Sequence, residues 1–320
     1  MTDATTATDA TTATATVTPI HLDAGKRHDV VLLFDVTDGN PNGDPDAGNL
    51  PRIDPETSQG LVSDVAIKRK IRNYVDDLRG NEEHFKIYVQ DKGIALNELH
   101  QRAYTAKGLK STGTKQAREN VNEARAWMCE NFFDIRTFGA VMSTQINAGQ
   151  VRGPVQVTFS RSIDPIVPLD LSITRVAITK EDDAKFVIGD DGKSTGGKIT
   201  EMGRKALVPY GLYRASIFIS PQQAQDTGFD NDDLDLLWRA LVNMWDFDRS
   251  ASRGMMACRG LYVFSHENPF GNAPAHKLLD RVSVEMHTET IVPRAFRDYV
   301  VTIPDQQDLP EGITLTVLEG

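Results

Sequence analysis

The sequence predicts an α+β fold, because strand-like and helix-like segments alternate along it in a particular order. Residues 29–36 form a continuous β-branched and apolar run, which is typical of a buried central strand. A long loop and an amphipathic helix follow, then a strand pair, another strand, a second long amphipathic helix over 232–247 and a further strand. This order fits a ferredoxin-like α+β sandwich, and a length of 320 residues leaves room for large insertions or for two domains.

The first helix is predicted from residue 63 to about residue 79. Ser63 is a suitable N-cap, because its hydroxyl can accept a hydrogen bond from a free N–H of the first turn. Apolar residues recur at helical spacing, so one face of the helix is expected to enter the core. The residues of that face are Ile67, Ile71, Tyr74 and Leu78.

The remaining elements are assigned from the same periodicities. Residues 80–113 carry no clear pattern. The helical spacing of apolar residues over 114–131 predicts a second helix. Residues 180–203 are rich in glycine and charge, which predicts a flexible excursion. Strands are predicted at 134–142, 151–161, 171–179, 210–220, 260–265, 282–286 and 313–317.

Composition excludes several classes of protein. No apolar run approaches the roughly 18 residues that a membrane span needs, so no membrane partner is expected. Cys129 and Cys258 lie in no Cys-x-x-Cys spacing, which argues against a disulfide framework and favours a reducing, cytoplasmic location. The net charge of −10 argues against a free-standing, non-specific nucleic-acid binder, but it is compatible with a basic groove inside an acidic shell.

The N-terminal segment predicts a disordered tail. Residues 1–16 comprise one Met, eight Thr, five Ala and two Asp, without the basic start and apolar stretch of a secretory signal. Small polar residues bury too little area to offset the entropy lost on ordering. The tail is predicted to cover 1–27, with the ordered chain beginning near His28.

The first loop has the spacing of a calcium-binding loop, with oxygen ligands at alternate positions and a glycine at the turn. Asn49 stands where a bidentate Glu is needed, Pro41 intrudes, and no helix precedes the loop. A loop held by Asx turns and prolines is therefore the favoured interpretation. The spacing involves Asp38, Asn40, Asn42, Gly43, Asp44 and Asp46.

Other motifs fall short of an enzyme signature. Residues 189–195 resemble a phosphate-binding loop, but two residues instead of four separate the glycines. Cys258 beside Arg259 could form an activated thiol, although a structural thiol is the commoner role. None of the seven histidines stands in an H-E-x-x-H frame, and no catalytic residue, metal or cofactor is predicted.

A basic cluster, KRKIR at 68–72, lies on the predicted first helix. With Ile67 and Ile71 buried, Lys68 and Arg72 share one flank at i, i+4 spacing, where like charges repel mildly. An external anion such as a nucleic-acid phosphate is the expected partner, and a solvated face is the alternative. Loops are expected to add Arg52, Arg136, Arg152, Lys193, Lys198, Arg204, Lys205 and Arg253.

Four segments together resemble one known family. They are residues 40–75, 134–166, 202–220 and 248–282, and they include the runs NPNGDPDAG, DIRTFG, MGRKALVPYG and DRSASRG. The resemblance is to the backbone subunit of the type I-C CRISPR effector complex, Cascade, which is the seventh family of CRISPR-associated (Cas) proteins. The segments keep their order and span most of the chain after the tail, so their specificity as a set is high.

The resemblance implies a fold and a set of partners. The fold is a modified RRM (ferredoxin-like) palm, with inserted fingers at about 80–132 and a protruding thumb at about 180–208. Copies of the chain are expected to stack helically along one CRISPR RNA, beside Cas proteins of the fifth and eighth families. The guide is then presented for pairing with target DNA, so that pairing reads the sequence while protein holds the phosphates.

The resemblance also assigns residues in the palm. Lys68, Arg69 and Arg72 are expected to hold guide phosphates, and Arg136 is expected to line the same groove. Other groove candidates come from three separate stretches of the chain. Asn40 and Asn42 are expected to touch the ribose or a neighbouring subunit, or to serve only as turn residues. Arg52, Arg152 and Arg253 complete the set as basic residues that loops are expected to bring to the groove.

The thumb carries a second group of candidates. Met202 or Leu207 is the expected apolar wedge beside a flipped nucleotide, and core packing is the equally supported alternative. The basic residues assigned to the thumb are Lys193, Lys198, Arg204 and Lys205.

Two rival functions are compatible with parts of the sequence. Backbone subunits of type III complexes cut target RNA with an acidic loop residue, and Asp38, Asp44 or Asp46 could act here with a divalent metal. The motifs resemble the type I set, which favours a non-catalytic role. A self-assembling structural protein without nucleic acid is the other rival, but it leaves the KRKIR cluster without a partner.

Overall fold

The computed structural model describes residues 18–111, 113, 115–180, 186–188, 194–197 and 200–319, with side chains left out at 186–188 and 194–196. The helices of these residues are α1 (Asp64–Arg79), α2 (Leu96–Ala106), α3 (Arg118–Asn131), α4 (Phe133–Phe138), α5 (Pro221–Thr227), α6 (Asn231–Phe247) and α7 (Ala275–Leu279). The first eight strands are β1 (His28–Gly39), β2 (Gly43–Asp44), β3 (Leu50–Pro51), β4 (Gln59–Val62), β5 (Gly139–Ser143), β6 (Asn147–Arg152), β7 (Val155–Val157) and β8 (Ser160–Pro165). The others are β9 (Leu169–Arg175), β10 (Phe186–Ile188), β11 (Ser194–Gly196), β12 (Glu201–Ile219), β13 (Met255–His266), β14 (Ser283–Met286), β15 (Tyr299–Thr302) and β16 (Ile313–Glu319).

A central antiparallel sheet organises the chain. Its strand order is β16-β13-β1-β12-β8-β4, and β7 and β9 also pair with β12. In chain order, β1, α1, β8, β12, α6 and β13 give the βαββαβ sequence, and the four strands take the spatial order fourth-first-third-second. This topology is that of the ferredoxin-like or RRM palm, so the predicted fold class is confirmed.

The palm sheet is covered on both faces. Val30, Leu32 and Phe34 of β1 join the apolar cluster that contains α1 and α6, whereas Val31 and Leu33 join a second cluster formed with the C-terminal layer. Since successive side chains of a strand point to opposite faces, a strand buried on both sides must be continuously apolar. This explains the uninterrupted apolar run of residues 30–34 in β1.

The inward face of α1 is nearly as predicted. Ile67 and Ile71 are fully buried and Tyr74 is 6% exposed, but Leu78 is 47% exposed and its predicted burial is wrong. In that last turn Arg79 covers the core instead, because its guanidinium lies 3.5 Å from the centre of the Phe85 ring.

A helical insertion, residues 80–152, stands beside the palm with an apolar cluster of its own. It contains α2, α3, α4 and the β5–β6 hairpin. The strand predicted at 134–142 is wrong in its first half, where α4 forms, and right in its second half, where β5 begins. A short apolar run does not distinguish a buried strand from a buried helix turn, and tertiary packing decided between them here. The predicted strand at 151–161 is likewise divided among β6, β7 and β8.

A long hairpin projects from the palm. All residues of β9 are exposed, and β9 pairs with the first part of β12, from Glu201↔Arg175 to Leu207↔Leu169. The second part of β12 lies in the palm between β1 and β8. The projecting stem is called the β9–β12 hairpin below (residues 169–175 and 201–207). Its second strand lies within the stretch 180–208 predicted as a thumb, and its first strand precedes that stretch.

The described N-terminal residues pack earlier than predicted. A 3₁₀ turn, Ile20–Leu22, precedes the buried Ala24, and the Trp238 indole N–H donates to the His21 carbonyl at 2.9 Å. Residues 18–27 are therefore packed on the palm and not part of a tail; the rest of the predicted tail, 1–17, lies outside the described residues. Among the helices that the structure describes, none has the length and apolar character needed to cross a bilayer.

Candidate nucleic-acid interface

The basic cluster on α1 is neutralised from within the protein. Lys68 Nζ lies 2.9 Å from Asp64 Oδ2, and Arg72 Nε lies 2.7 Å from Asp134 Oδ2. Both cations also stand over the Phe138 ring, at 5.6 and 5.4 Å from its centre. Their side chains are only 13% and 12% exposed.

The other two basic residues of the cluster are also paired. Arg69 reaches Asp91 at 2.6 Å on the surface, whereas Lys70 is 3% exposed and pairs with Asp248 beside the Trp245 ring. Burial lowers the pKa of Lys70, and the Asp248 carboxylate opposes that shift. Carboxylates of the protein itself thus pair with all four cations of this cluster, and the expected contact with an external RNA phosphate remains a prediction.

Arg136 is a core residue. It is 5% exposed, and its guanidinium donates to both Asp233 carboxylate oxygens at 2.7 and 2.6 Å and to the His84 carbonyl at 2.5 Å. Burial raises the pKa of Asp233, and the Arg136 charge opposes this. This placement differs from the predicted groove position, because the guanidinium links α4 to α6 instead of facing an open surface.

The two asparagines of the first loop brace the start of α1. Asn42 Oδ1 accepts from the Ser63 N–H and from the Ser63 hydroxyl, both at 2.9 Å, so Ser63 precedes the helix as predicted but does not cap it with its side chain. Asn40 is 4% exposed and donates to the Asn49 carbonyl at 2.8 Å. These contacts fit the alternative role as turn residues; contact with a ribose remains untested.

Two more predicted residues meet at this loop. Arg52 Nη1 lies 3.4 Å from Asp44 Oδ2, and Arg253 Nε lies 3.2 Å from Asp248 Oδ2. Both arginine side chains are 35% exposed. The Asn40 N–H donates to the Ser252 carbonyl at 2.7 Å, which joins the two loops. The structure thus gathers part of the predicted basic set at the N-terminal end of α1.

The β9–β12 hairpin separates the two wedge candidates. Met202 is 80% exposed on the projecting stem, whereas Leu207 is 7% exposed at its base. Leu207 therefore packs in the core, and the expectation that it could act as the wedge is wrong. Met202 is the candidate whose side chain is accessible to a base.

The basic residues of the hairpin have an open environment. Arg204 is 81% exposed and lies 3.2 Å from Asp170 Oδ2. Lys205 is half-buried and forms no ion pair with any residue that the structure describes. Lys193 and Lys198, which were also predicted for the thumb, lie outside the described residues.

An apolar stripe runs along one face of the hairpin. Leu169, Leu171 and Ile173 alternate along β9 and are 38%, 44% and 50% exposed, and Val176 beyond them is 82% exposed. Large side chains aligned in this way and open to solvent mark an interaction surface more often than scattered ones do.

The model of the family described as CRISPR-associated protein Cas7 matches residues 26–304 of this chain. The chain belongs to the Cas7 family. A curated CRISPR-associated protein Cas7 from Haloferax volcanii is 26% identical over 240 residues; the match covers 68% of this chain and 64% of that protein. The chain therefore spans less than two-thirds of the length of the curated relative it matches.

Chains in solved structures of CRISPR complexes match part of this chain. A chain of a CRISPR RNA-guided surveillance complex in a pre-nicking state is 14% identical, with a TM-score of 0.45 and coverage of 74% of this chain and 78% of that one. A chain of a second CRISPR RNA-guided surveillance complex is 15% identical, with a TM-score of 0.42 and coverage of 74% of this chain and 68% of that one. A chain of a Type III-B Cmr-beta complex bound to cognate target RNA is 12% identical, with a TM-score of 0.38 and coverage of 74% of this chain and 61% of that one.

The acidic residues of the first loop are dispersed in this Cas7 protein. Asp38 is exposed with a φ of 50°, while Asp44 accepts from the Asp46 N–H at 3.2 Å and faces Arg52. Within the part of the chain that the structure describes, no three His, Cys, Asp or Glu side chains are grouped closely enough to hold a metal ion. The calcium-like spacing of the loop thus yields an Asx turn, as favoured from the sequence.

The structure also brings together residues that sequence reasoning did not select. Arg125 of α3 and Gln223 of α5 lie with the predicted Arg152 around one cleft. These residues come from three separate elements and share no motif, so no sequence signal connects them.

Proposed function

We propose that this Cas7 protein is a non-catalytic, CRISPR RNA-binding backbone subunit of a type I-C Cascade complex. Copies of it polymerise along the guide in the cytoplasm and present the guide for pairing with target DNA in antiviral defence. The observation that carries the proposal is the family match over residues 26–304, joined to the type I-C resemblance of the four segments.

The β9–β12 hairpin supports a role in shaping the guide. An exposed apolar side chain on a projecting stem can enter between two bases and unstack them, at a cost of a few kcal/mol per step that added contacts offset. Met202 has the required exposure, and Arg204 lies two residues further along the same strand. The hairpin therefore combines an apolar wedge with a cation for the adjoining phosphate.

The apolar stripe supports stacking of copies. The stripe contains Leu169, Leu171 and Ile173. Covering it with another subunit makes the free energy of association more favourable by about 25 cal/mol for each Å² of apolar surface buried. Cas proteins of the fifth and eighth families are proposed as the further partners at the ends of the filament. A net charge of −10 disfavours association except where such a surface or the RNA compensates.

Phosphates are proposed to bind the cations with partly exposed side chains. Arg52, Arg69 and Arg253 are each 35% exposed. The Arg52–Asp44 and Arg69–Asp91 pairs lie near the surface, where a pair contributes only about 0–1 kcal/mol, so a phosphate can replace the carboxylate at small cost. Arg253 shares the Asp248 carboxylate with the buried Lys70, so a phosphate there binds in addition to that carboxylate. Lys68 and Arg72, which lie deeper, are expected to add to the field of the groove more than to direct contacts.

Fluorescence anisotropy of a labelled CRISPR RNA at two salt concentrations tests the proposal. The variant Arg52→Gln/Arg69→Gln/Arg253→Gln should bind more weakly and with a shallower salt dependence than wild type. The control Arg102→Gln/Arg239→Gln changes two exposed arginines on other elements and should bind as wild type. Absence of binding by wild type, even after co-expression with the other Cascade subunits and a CRISPR array, would contradict the proposal.

The rival function is a metal-dependent RNase of the type III backbone kind. The observation in its favour is Asp38, an exposed carboxylate in a left-handed backbone conformation at the end of β1. Incubating the assembled protein with target RNA and Mg²⁺ separates the two functions. Cleavage that Asp38→Asn abolishes would establish the RNase and refute the non-catalytic role.

A further inference from the structure

A cleft of about 580 Å³ lies between the helical insertion and the palm. Its walls come from α3, β6 and α5, which are separated by long stretches of sequence. Arg125 of α3 and Arg152 of β6 both line it, and both side chains are exposed. Two guanidinium groups thus border one opening that solvent can enter.

Arg152 is held in place by a neighbouring amide. In the orientation of Gln223 that satisfies both of its neighbours, Oε1 accepts from Arg152 Nε at 3.0 Å and Nε2 donates to the Gly153 carbonyl at 2.7 Å. Because Nε is occupied in this way, the two terminal nitrogens of the guanidinium remain for a ligand. A guanidinium fixed by its own scaffold loses less entropy when it binds an anion.

Arg125 reaches the same cleft across a glycine. A Cβ at Gly149 would lie 3.5 Å from Arg125 Cδ, so the side chain crosses β6 at a position where that strand carries no side chain. Arg125 forms no ion pair with any carboxylate in the described ranges. Its charge therefore faces the cleft without an internal partner there.

The charge around the cleft is net positive. Asp226 is the one carboxylate among its described lining residues, against two arginines. Burial raises the pKa of Cys129 to about 11, so the thiol in the cleft wall is neutral. The adjoining cavity also borders Arg125, but its other two arginines are paired, Arg79 with Asp232 and Arg136 with Asp233.

We propose that this cleft is a phosphate-binding site, in which Arg125 and Arg152 hold the phosphate and the Gln150 amide contacts the group that carries it. Gln223 is a positioning residue, because it acts through Arg152. The phosphate belongs either to the bound RNA, in which case the inference rests on the proposed function and adds a contact on the helical insertion, or to a free nucleotide. The shared chemistry is a phosphate oxygen bound by two guanidinium groups.

The double variant Arg125→Gln/Arg152→Gln tests the site in the full-length chain. Labelled single-stranded RNA is titrated by anisotropy at several salt concentrations, and inorganic phosphate and ATP are titrated separately by calorimetry. Two lost charge-assisted hydrogen bonds predict RNA binding that is about tenfold weaker or more, with a salt slope shallower by about 0.7 for one phosphate. Arg102→Gln/Arg239→Gln is the control, matched in charge and exposure, and thermal denaturation confirms that each variant is folded.

The outcomes separate this site from the proposed function. If wild type binds RNA and only the cleft variant loses affinity, the phosphate is that of RNA; Gln223→Ala should then show a smaller loss, which the conservative Gln223→Asn partly restores. If wild type and the cleft variant bind RNA equally, the RNA source is wrong, and phosphate or ATP binding that only wild type shows would still establish the site. If RNA binds equally and neither phosphate nor ATP binds, the site is refuted while the proposed function stands. If wild type binds no RNA, the proposed function fails, and the calorimetric arm alone decides the site.

Discussion

The strand β12 passes through two regions that differ in burial and in strand pairing. From residue 208 to 219 it lies in the palm, where Val208, Leu212 and Ile217 are buried between two apolar layers. From 201 to 206 it pairs only with β9 and is largely open to solvent. One continuous strand is thus anchored by the palm at one end and offered to a partner at the other.

Buried ion pairs occur in the palm and the insertion, beside surface pairs such as Arg69–Asp91, whereas the described ion pairs of the hairpin are all exposed. Within the palm and the insertion, Arg136–Asp233 and Arg72–Asp134 are nearly or wholly buried, whereas the hairpin pair Arg204–Asp170 is exposed. Losing one partner of a buried pair leaves an uncompensated charge, while losing one partner of a surface pair leaves a solvated one. The comparison predicts that palm substitutions change stability and that hairpin substitutions change assembly.

The largest effect is expected for Arg136→Met. The variant leaves the Asp233 carboxylate buried without its counter-charge, and the free energy of unfolding should fall by about 3–5 kcal/mol. Urea denaturation followed by circular dichroism measures it. The matched hairpin variant, Arg204→Met, should change the free energy of unfolding by no more than about 0.5 kcal/mol. Equal losses of stability in the two variants would contradict the distinction between the regions.

A second prediction concerns acid sensitivity of the palm. His28 is fully buried, its Nε2 lies 3.0 Å from the Asp23 carbonyl and its Nδ1 lies 2.9 Å from the Ser265 hydroxyl. Burial lowers the pKa of His28 to about 4, below its unfolded value of about 6.5. The unfolded chain therefore binds the proton more tightly, so this contribution is fully present above about pH 6.5 and is lost as the pH falls towards 4.

Between pH 7 and pH 5 the His28 contribution to the free energy of unfolding should fall by about 2 kcal/mol. Urea denaturation at the two pH values measures this change. His28→Gln removes the titrating group and should flatten this part of the pH dependence. An unchanged slope in that variant would assign the acid sensitivity to other groups.

A third, smaller effect is expected at the edge of the sheet. The Gln306 amide donates to the Ile313 carbonyl at 2.7 Å and accepts from the Leu315 N–H at 3.0 Å, which occupies part of the open edge of β16. Gln306→Ala should lower the free energy of unfolding by about 1 kcal/mol and expose the edge to strand addition. Sedimentation velocity at rising concentration checks for new association. Gln101→Ala, a half-buried glutamine of α2 away from the sheet edge, serves as the control.

The smallest change in stability is expected on the hairpin itself. Leu171→Ser/Met202→Ser removes two exposed apolar side chains, and the free energy of unfolding should stay within about 0.5 kcal/mol of wild type. The yield of RNA-bound oligomers after co-expression with a CRISPR array should nevertheless fall, because the surface that partners cover is lost. Size-exclusion chromatography separates the RNA-bound oligomers from the monomer and measures the yield of each. An unchanged yield of oligomers would show that the hairpin has no role in assembly.

Much of the fold follows from local pattern. The run at 29–36, the face containing Ile67 and Ile71, and the helix at 232–247 could be predicted because each carries a strong periodicity over its length. The segment 134–142 could not, because its short apolar run fits either a helix or a strand. Similarly, Leu78 fits the helical pattern of α1, but nothing in the sequence shows that Arg79 stacks on Phe85 in that turn.

The candidate site was predicted less completely than the fold. Residues 68–72 lie on α1 as predicted and Met202 is exposed on the hairpin, while their contacts with RNA stay predictions. It could not show that Lys70 pairs with Asp248, or that Arg136 pairs with Asp233, because ion pairs between residues so far apart leave no local trace.

By itself the sequence determined the α+β class, the central strand, the two palm helices and the family, because each of these depends on patterns among neighbouring residues or on ordered motifs. Tertiary structure alone decided which cations are neutralised, which apolar side chains face solvent and which arginines share a cleft. Those properties depend on distances between residues that are remote along the chain, and such distances are set only when the sheet and its two covering layers assemble.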